Sequence, residues 1–218
     1  MAVIEDALTS TPLKIESSLK ALRSVIVPRG DGYVYSGTTG TIAAALAVGS
    51  NLFVMRSGTG VTKKVYIDRI RIQYTCLVTF TTALTAGRRL TIHRGSSITA
   101  SSGGTGVASG AVSKKDTSIS ANSVCDPSNG GDVRLATTGA LTLTSAVLES
   151  EPVATISLAH VGTAGNYLEQ VFEFSATECS ELVLNADQYL TIRNPVAMDA
   201  AGTWQLSVKV DWREAEAL

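Results

Sequence analysis

The stretch Trp204-Gln205-Leu206-Ser207-Val208-Lys209-Val210-Asp211-Trp212 alternates apolar and polar residues at every position. A period of two is typical of a β-strand with one buried face and one solvent-facing face. A slip of one residue would move both tryptophans into water and would bury Lys209 and Asp211, so the register of this strand is strongly specified. We therefore interpret the stretch as the central strand of an antiparallel β domain.

The composition of the 218-residue chain favours strands and turns. Hydrophobic residues make up 44% of the chain, but aromatic residues only 6% and charged residues 17%, below the roughly 25% charged residues of an average soluble domain. Thr, Ser, Ala and Gly take their place, a mixture that suits a surface partly covered by neighbours. The net charge of −1 and the pI near 6.1 give no attraction to nucleic acid or anionic membrane, so we expect neither as a partner.

Residues 1–30 differ in pattern from the rest of the chain. Thr11-Pro12 is suited to begin a short helix, and apolar residues at helical spacing follow: Ile15, Leu19, Leu22 and Ile26. Pro28 and the turn residues after it would end this segment. Two interpretations remain open: a helix packed on its own domain, or an N-terminal arm that reaches a neighbouring subunit.

The N-terminus carries acidic residues and lacks the basic and apolar regions of a signal peptide. The longest apolar run, residues 42–48, is far shorter than the ~20 residues of a membrane helix. We therefore expect synthesis in a cytoplasm and no membrane partner.

Strand patterns with turn signals between them recur through residues 31–218. In the long run from Ile70 to Phe80 every even position is apolar and the odd positions are mainly polar, whereas Val65 and Ile67 before it fall on odd positions. This change of phase at Asp68-Arg69 predicts a β-bulge. Short strands that recur about every eight to twelve residues, with turn signals between them, are typical of a sandwich or jelly roll. We predict an all-β fold, an antiparallel β-sandwich or jelly roll at 31–218, with two small β domains divided near residue 110 as the alternative.

Residues 95–131 have the weakest strand pattern. Residues 95–113 are nearly all Gly, Ser, Thr and Ala, and residues 125–131 form a cluster of turn residues. Such a composition buries little apolar area. We predict a long exposed loop that is mobile or ordered only by contact, and we regard it as a first candidate contact region.

The cysteines and histidines do not form a metal or disulfide pattern. Cys76, Cys125 and Cys179 are odd in number and widely spaced, which argues against a disulfide framework. Cys76 lies on the apolar side of a predicted strand and is interpreted as a small buried side chain. His93 and His160 lack the short spacings of zinc ligands, and we interpret His93 as a polar residue at a strand end. We expect no metal site and no cofactor.

Catalytic motifs are also missing from the sequence. Gly104–Gly110 is glycine-rich but lacks the strand before it and the helix after it that would form a phosphate loop. Glu149 and Glu151 are neighbours on one segment, whereas the two carboxylates of a glycosidase face each other across about 5–10 Å. No Gly-x-Ser-x-Gly elbow supports a serine hydrolase. We therefore predict no catalytic residues and no enzyme activity; an enzyme of unrecognised type, with a deep pocket holding carboxylates or histidines, is the alternative.

A modest basic group is predicted around one hairpin. Its members are Arg69, Arg71, Arg88, Arg89 and Arg94. Such a group is either a solvated sheet face or a surface for an acidic partner.

The C-terminal part of the chain resembles a known family. Residues 184–195 (LNADQYLTIRNP), residues 200–204 (AAGTW) and the strand ending in Val210-Asp211-Trp212 are similar to the ends of small virion structural proteins of tailed bacteriophages. They resemble capsid decoration (cement) proteins and other minor head proteins with jelly-roll or related β folds. The resemblance covers about the last 35 residues.

The resemblance implies a structural role. The chain would lie on the capsid surface of the virion, after synthesis in the host bacterial cytoplasm, and would clamp adjacent subunits of the major capsid protein. It would assemble as a homotrimer or another cyclic oligomer, and residues 1–30 and 95–131 would make the contacts between subunits. The alternative is a tail, neck or host-adhesion module that binds glycans on exposed aromatic rings, for which Tyr33, Tyr35 and Tyr167 lie in loop-like contexts. A β-sandwich binding module from outside viruses is the remaining possibility.

Overall fold

The computed structural model describes residues 30–81, 87–158, 162–174 and 181–216, and before them two short strands, β1 (Ile15–Glu16) and β2 (Ala21–Leu22). These two strands pair with each other in antiparallel orientation. They fall where the spacing of Ile15 and Leu22 predicted a helix, so the helical interpretation is wrong for these four residues. The rest of the predicted arm at 1–29 lies outside the described residues.

The strands before the middle of the chain are β3 (Asp31–Thr38), β4 (Asn51–Arg56), β5 (Lys63–Val78) and β6 (Arg89–Ser96). Six short strands follow: β7 (Ala100–Ser102), β8 (Thr105–Gly106), β9 (Ser113–Lys114), β10 (Asp132–Leu135), β11 (Thr142–Thr144) and β12 (Val147–Leu148). The last strands are β13 (Ala154–Ser157), β14 (Tyr167–Glu173), β15 (Leu182–Leu184), β16 (Tyr189–Arg193) and β17 (Thr203–Glu216). A 3-10 turn, Pro127–Asn129, lies before β10. The described part of the chain contains no helix with the length and hydropathy of a membrane span.

Eight of these strands form two antiparallel sheets with nested pairing. The β17 sheet has the order β3-β17-β5-β14, and the β16 sheet has the order β4-β16-β6-β13. Of these eight strands, the last one, β17, thus pairs with the first one, β3, and β16 pairs with the second one, β4. This nesting is the strand order of a jelly roll, and it confirms the predicted all-β sandwich. Strands from both sides of residue 110 pair in both sheets, so the alternative of two domains divided there is wrong.

β17 is the central strand of its sheet, as its alternation predicted. It pairs with β5 along its whole length and with β3 from Ser207 to Glu214. The apolar residues from Trp204 to Trp212 are buried in the common core of the two sheets. At one end the Tyr74 ring packs on Trp204 with centroids 5.3 Å apart, and at the other end the Tyr33 ring lies 6.0 Å from that of Trp212.

The predicted β-bulge in β5 is confirmed. Asp211 of β17 pairs with Arg69, and the next residue, Trp212, pairs with Ile67, so Asp68 is the extra residue. The bulge shifts the alternation by one position. Val65, Ile67, Ile70 and Ile72 are therefore all buried, although they differ in parity.

Residues 97–153 form an insertion between β6 and β13 that extends both sheets. β10 pairs with β4, β8 pairs with β10, and β9 pairs with β3. Much of the predicted loop at 95–131 is exposed, but Val112, Val124 and Cys125 are buried in the core. Contacts within the chain therefore hold these three residues in the core, and the mobility expected for the exposed part of the segment stays a prediction.

Two buried carboxylates hold this insertion in place. Glu214 of β17 accepts hydrogen bonds from the Ser123 hydroxyl and from the Val124 N–H, the latter at 3.0 Å. The Trp212 indole N–H also donates to Glu214, at 3.0 Å. Burial raises the pKa of Glu214, although these donors act in the opposite direction. The last strand of the jelly roll is therefore bonded directly to the insertion.

Asp126 stabilises the insertion from inside. Its carboxylate is buried and accepts hydrogen bonds from the N–H groups of Gly110 at 2.7 Å, Val112 at 3.1 Å and Ser128 at 2.8 Å. Burial alone would raise the pKa of Asp126, but the three donors together outweigh it and hold the pKa below its usual value. The charged form is therefore the one that the fold stabilises.

The pH dependence of stability tests this role of Asp126. Because its pKa is lower in the folded than in the unfolded chain, the stability it adds is present above the unfolded value of 3.8 and is lost as the pH falls through the folded pKa. We expect Asp126→Asn to lower the free energy of unfolding by about 1–3 kcal/mol at pH 7, and by less at a pH near 3, as measured by urea unfolding. Asp116→Asn, at an exposed site on the same insertion, is the control and should change stability less. An equal loss for Asp126→Asn at both pH values would contradict the assignment.

Candidate functional site

Large apolar side chains are exposed at one corner of the β17 sheet. Tyr167 and Val171 on the outer face of β14 are 66% and 46% exposed, and Leu77 and Val78 at the end of β5 are 38% and 54% exposed. Tyr167 pairs with Thr75, so it lies diagonally across from Leu77. We call these four residues the apolar corner. An exposed group of this kind is a candidate contact surface.

The strand that carries half of the apolar corner is also a sheet edge. β14 pairs with β5 over all seven of its residues, without a shift in register. Among the described strands, none pairs with its other side. Its inward-facing Leu168 and Phe172 are half-buried against the core. Among the described residues, the far side of β14 is therefore a candidate edge for pairing with a partner strand.

The five arginines that predicted a basic group do not form a common surface. Arg69 pairs with Asp211 at 3.1 Å and Arg71 pairs with Glu169 at 2.5 Å on the outer face of the β17 sheet. Arg94 pairs with Glu149 at 2.7 Å in another part of the molecule.

Arg88 is directed into the interior and pairs with Asp199, while Arg89 is exposed. The interpretation as one basic surface for an acidic partner is therefore wrong, because acidic neighbours distant in sequence neutralise most of these side chains. A shallow cavity of about 170 Å³ remains on the outer face, lined in part by Arg71, Gln73 and Lys209.

The Arg88–Asp199 pair belongs to a buried polar cluster that the sequence did not indicate. Both side chains are shielded, with side-chain exposures of 11% and 0%, and the Arg88 guanidinium lies 4.5 Å from the Phe80 ring centroid. The Tyr74 hydroxyl nearby is buried, and burial raises its pKa, so it stays protonated. Asp199 and Tyr74 are buried and Arg88 is half-buried, so the cluster contributes to the packing at this end of the sandwich.

A polar cleft lies at one end of the sandwich. Its volume is about 540 Å³, and its lining includes Thr59, Ser97, Thr99, Asp187 and Gln188. Ser97 and Asp187 both have a φ of 60°, in the left-handed region that non-glycine residues rarely adopt. The lining residues contain no aromatic ring. The hydroxyl and carboxylate groups in this lining can form hydrogen bonds with a small hydroxylated ligand.

The remaining candidate residues are not brought together. His93 lies within β6, so its placement at a strand end is wrong; its Nδ1 is 3.3 Å from the Glu149 carbonyl oxygen, and burial lowers its pKa. Cys76 is buried, as predicted, and so is Cys125. His160 and Cys179 lie outside the described residues.

The metal and phosphate motifs have no structural counterpart in the described ranges. Gly104–Gly110 contains β8 and is followed by the short β9 rather than by a helix. Within residues 30–81, 87–158, 162–174 and 181–216, His, Cys, Asp and Glu side chains form no group of three or more suited to a metal ion.

Comparison with known proteins does not place the chain in a family. No protein-family model matches the sequence, and a search of curated proteins finds no significant match. The resemblance of residues 184–212 to phage virion proteins therefore stays a prediction.

The buried and the exposed ion pairs predict different costs of substitution. Asp199→Ala should lower the free energy of unfolding by about 3–5 kcal/mol, because it removes the acid of a buried ion pair with Arg88. The matched control, Glu169→Ala, removes the acid of an exposed pair and should cost about 1 kcal/mol or less. Urea unfolding monitored by tryptophan fluorescence measures both. Similar losses in the two variants would contradict the interior position of Arg88 and Asp199.

Proposed function

We propose that this chain is a structural virion protein of a tailed bacteriophage, which decorates the capsid and clamps adjacent subunits of the major capsid protein. The observation that carries the proposal is the long edge strand β14, whose outer side no other described strand covers, beside the apolar corner. An assembly protein needs a rigid body and a surface that becomes buried on assembly, and both features are present.

The fold and the sequence resemblance support this proposal at different levels. Jelly rolls occur in viral capsid proteins and in lectins, so the architecture by itself leaves both kinds of function open. The residues that resemble phage virion proteins, 184–212, make up the end of β15, β16, the loop after it and most of β17. They are mainly residues that specify the sheets. The resemblance therefore supports the role through the fold, and the surface of β14 supports it independently.

The proposed partners are further copies of this chain and the major capsid protein. A homotrimer would fit the threefold positions of a capsid, where one protein contacts several coat subunits. Residues 1–30 and the exposed part of the insertion would make contacts between subunits. The buried residues of the insertion are held in the core by their own chain, so they would support that surface.

A glycan-binding tail, neck or host-adhesion module is the second candidate function. The polar cleft with Ser97 and Asp187 favours it, since its hydroxyl and carboxylate groups can bind sugar hydroxyls. Two of the three tyrosines expected to bind glycans are not free to do so. Tyr33 is buried, and Tyr35 packs against Phe53 with ring centroids 5.7 Å apart. Tyr167 is exposed, but it lies in the strand β14 and not in a loop as predicted.

Binding to capsids tests the proposal directly. The purified protein should have a solution mass near three times 22.7 kDa by light scattering, and it should co-sediment with phage heads that lack it. Deletion of residues 1–27 should abolish co-sedimentation while the circular dichroism spectrum of the β domain is retained, if the arm makes the clamp. Binding to a glycan array that is lost in Asp187→Ala, together with no co-sedimentation of the full chain, would contradict decoration and favour the adhesion module.

A further inference from the structure

The lateral edges of the two sheets differ in how they are protected. In the β16 sheet one edge is the two-residue β8, and the other is divided between β12 and β13, of two and four residues. In the β17 sheet the two-residue β9 pairs with Tyr33 and Val34 of β3, and the following residues of β3 form the rest of that edge. Short or broken edge strands of this kind are a common protection against pairing with other chains.

The fourth edge is divided between β14 and the three-residue β15, which pair with successive parts of β5, but β14 itself is long and regular. β14 has seven consecutive residues and contains no lysine and no proline, and its register against β5 has no bulge. Its charged side chains are Glu169 and Glu173, of which Glu169 is paired with Arg71. A long regular edge without protective features is suited to accept a further strand.

The side chains around this edge are suited to an apolar strand. Val171 lies on the outer face at the middle of β14, and Tyr167 and Leu77 lie on the same face toward one end. Leu168 and Phe172 are half-buried on the inner face. An added strand would pair with the backbone of β14 and would cover both rows.

The structure points to one occupant, and we infer that residues Ser24-Val25-Ile26-Val27 of a neighbouring copy add a strand to the open edge of β14. Three consecutive β-branched residues have a high preference for strands and complement the apolar rows. Pro28 follows directly, and since proline has no N–H to donate, it ends the pairing after Val27. The segment precedes the described residues of the sandwich, which begin at residue 30.

The dimensions of the sheet indicate that the segment comes from another copy. The position beside β14 lies four strand spacings from β3, about 19 Å at about 4.8 Å each. Asp31 begins β3, and the four residues from Val27 to Asp31 span at most about 14 Å. The five residues from Ile26 to Asp31 span at most about 18 Å. These two residues therefore cannot pair with β14 of their own sandwich, and exchange of the segment would link subunits into a cyclic oligomer.

The inference rests on the proposed function in one respect, namely that copies of the chain assemble. It goes beyond that function by naming the segment and the strand that form the contact. The two are separable in experiment, because strand exchange is measured on the protein alone and decoration on capsids.

Cross-linking between two differently substituted proteins tests the contact. In a Cys179→Ser background, one protein carries Ile26→Cys and the other carries Val171→Cys; the native Cys76 and Cys125 are buried. The two full-length proteins are mixed and oxidised mildly, and mass spectrometry of the peptides identifies the mixed disulfide. The matched control replaces Val171→Cys with Val147→Cys, an exposed valine on the edge strand β12 of the other sheet.

We expect about ten-fold or more mixed disulfide with Val171→Cys than with Val147→Cys, because strand pairing raises the local concentration of the two thiols. Equal yields for the two positions, or no mixed disulfide, would overturn the inference, including the case in which another part of the same chain covers β14. A disulfide formed only within one chain, in the double variant Ile26→Cys with Val171→Cys, would also overturn it. Cross-linking without co-sedimentation with heads would leave the inference standing and contradict decoration. Co-sedimentation without cross-linking would overturn the inference and leave decoration standing.

Discussion

The structure depends on the pairing of β17 with strands on both of its sides. This one strand joins β3, from the start of the sandwich, to β5, and it buries Trp204 and Trp212 near its two ends. At the first end Trp204 forms a bridge with Ile42 and packs on Tyr74, which connects the strand to the loop after β3. At the other end Glu214 binds Ser123 and Val124, which connects it to the insertion. Loss of register in β17 would therefore disturb the sheets, the loop and the insertion together.

The alternation of apolar residues predicted those elements whose burial is decided locally. The strand at 204–212, the bulge at Asp68 and the burial of Cys76 follow from parity, since each residue faces one side of a sheet. The same rule separates Leu168 and Phe172 from Glu169 and Glu173 on β14. Parity does not tell which strands are neighbours, so the position of β14 at an edge, and with it the exposure of Val171, required the topology.

The features that the sequence did not predict depend on contacts between residues distant in the chain. Residues 95–131 contain few apolar side chains, and composition alone therefore predicted a loop without fixed structure. Its buried residues are held instead by the buried carboxylates of Asp126 and Glu214, the second of which lies 90 residues from its partner Val124. The arginines were misjudged for the same reason, because Asp199 and Asp211 are 111 and 142 residues from Arg88 and Arg69.

These observations describe a sandwich with a buried core and a long edge strand, β14, whose outer side no other described strand covers. Burial of carboxylates and ion pairs fixes the insertion and one end of the sandwich, whereas β14 presents unpaired backbone and apolar side chains. The proposed assembly role follows from this contrast, and it requires that the sandwich holds its shape before any partner binds.

Native-state hydrogen exchange of the full-length protein tests that requirement most directly. The account predicts that the amides of β17 exchange most slowly, at rates set by global unfolding, and that those of β14 exchange faster in the isolated protomer. Exchange in β17 as fast as in the short strands β7, β8 and β9 would contradict the central position of this strand.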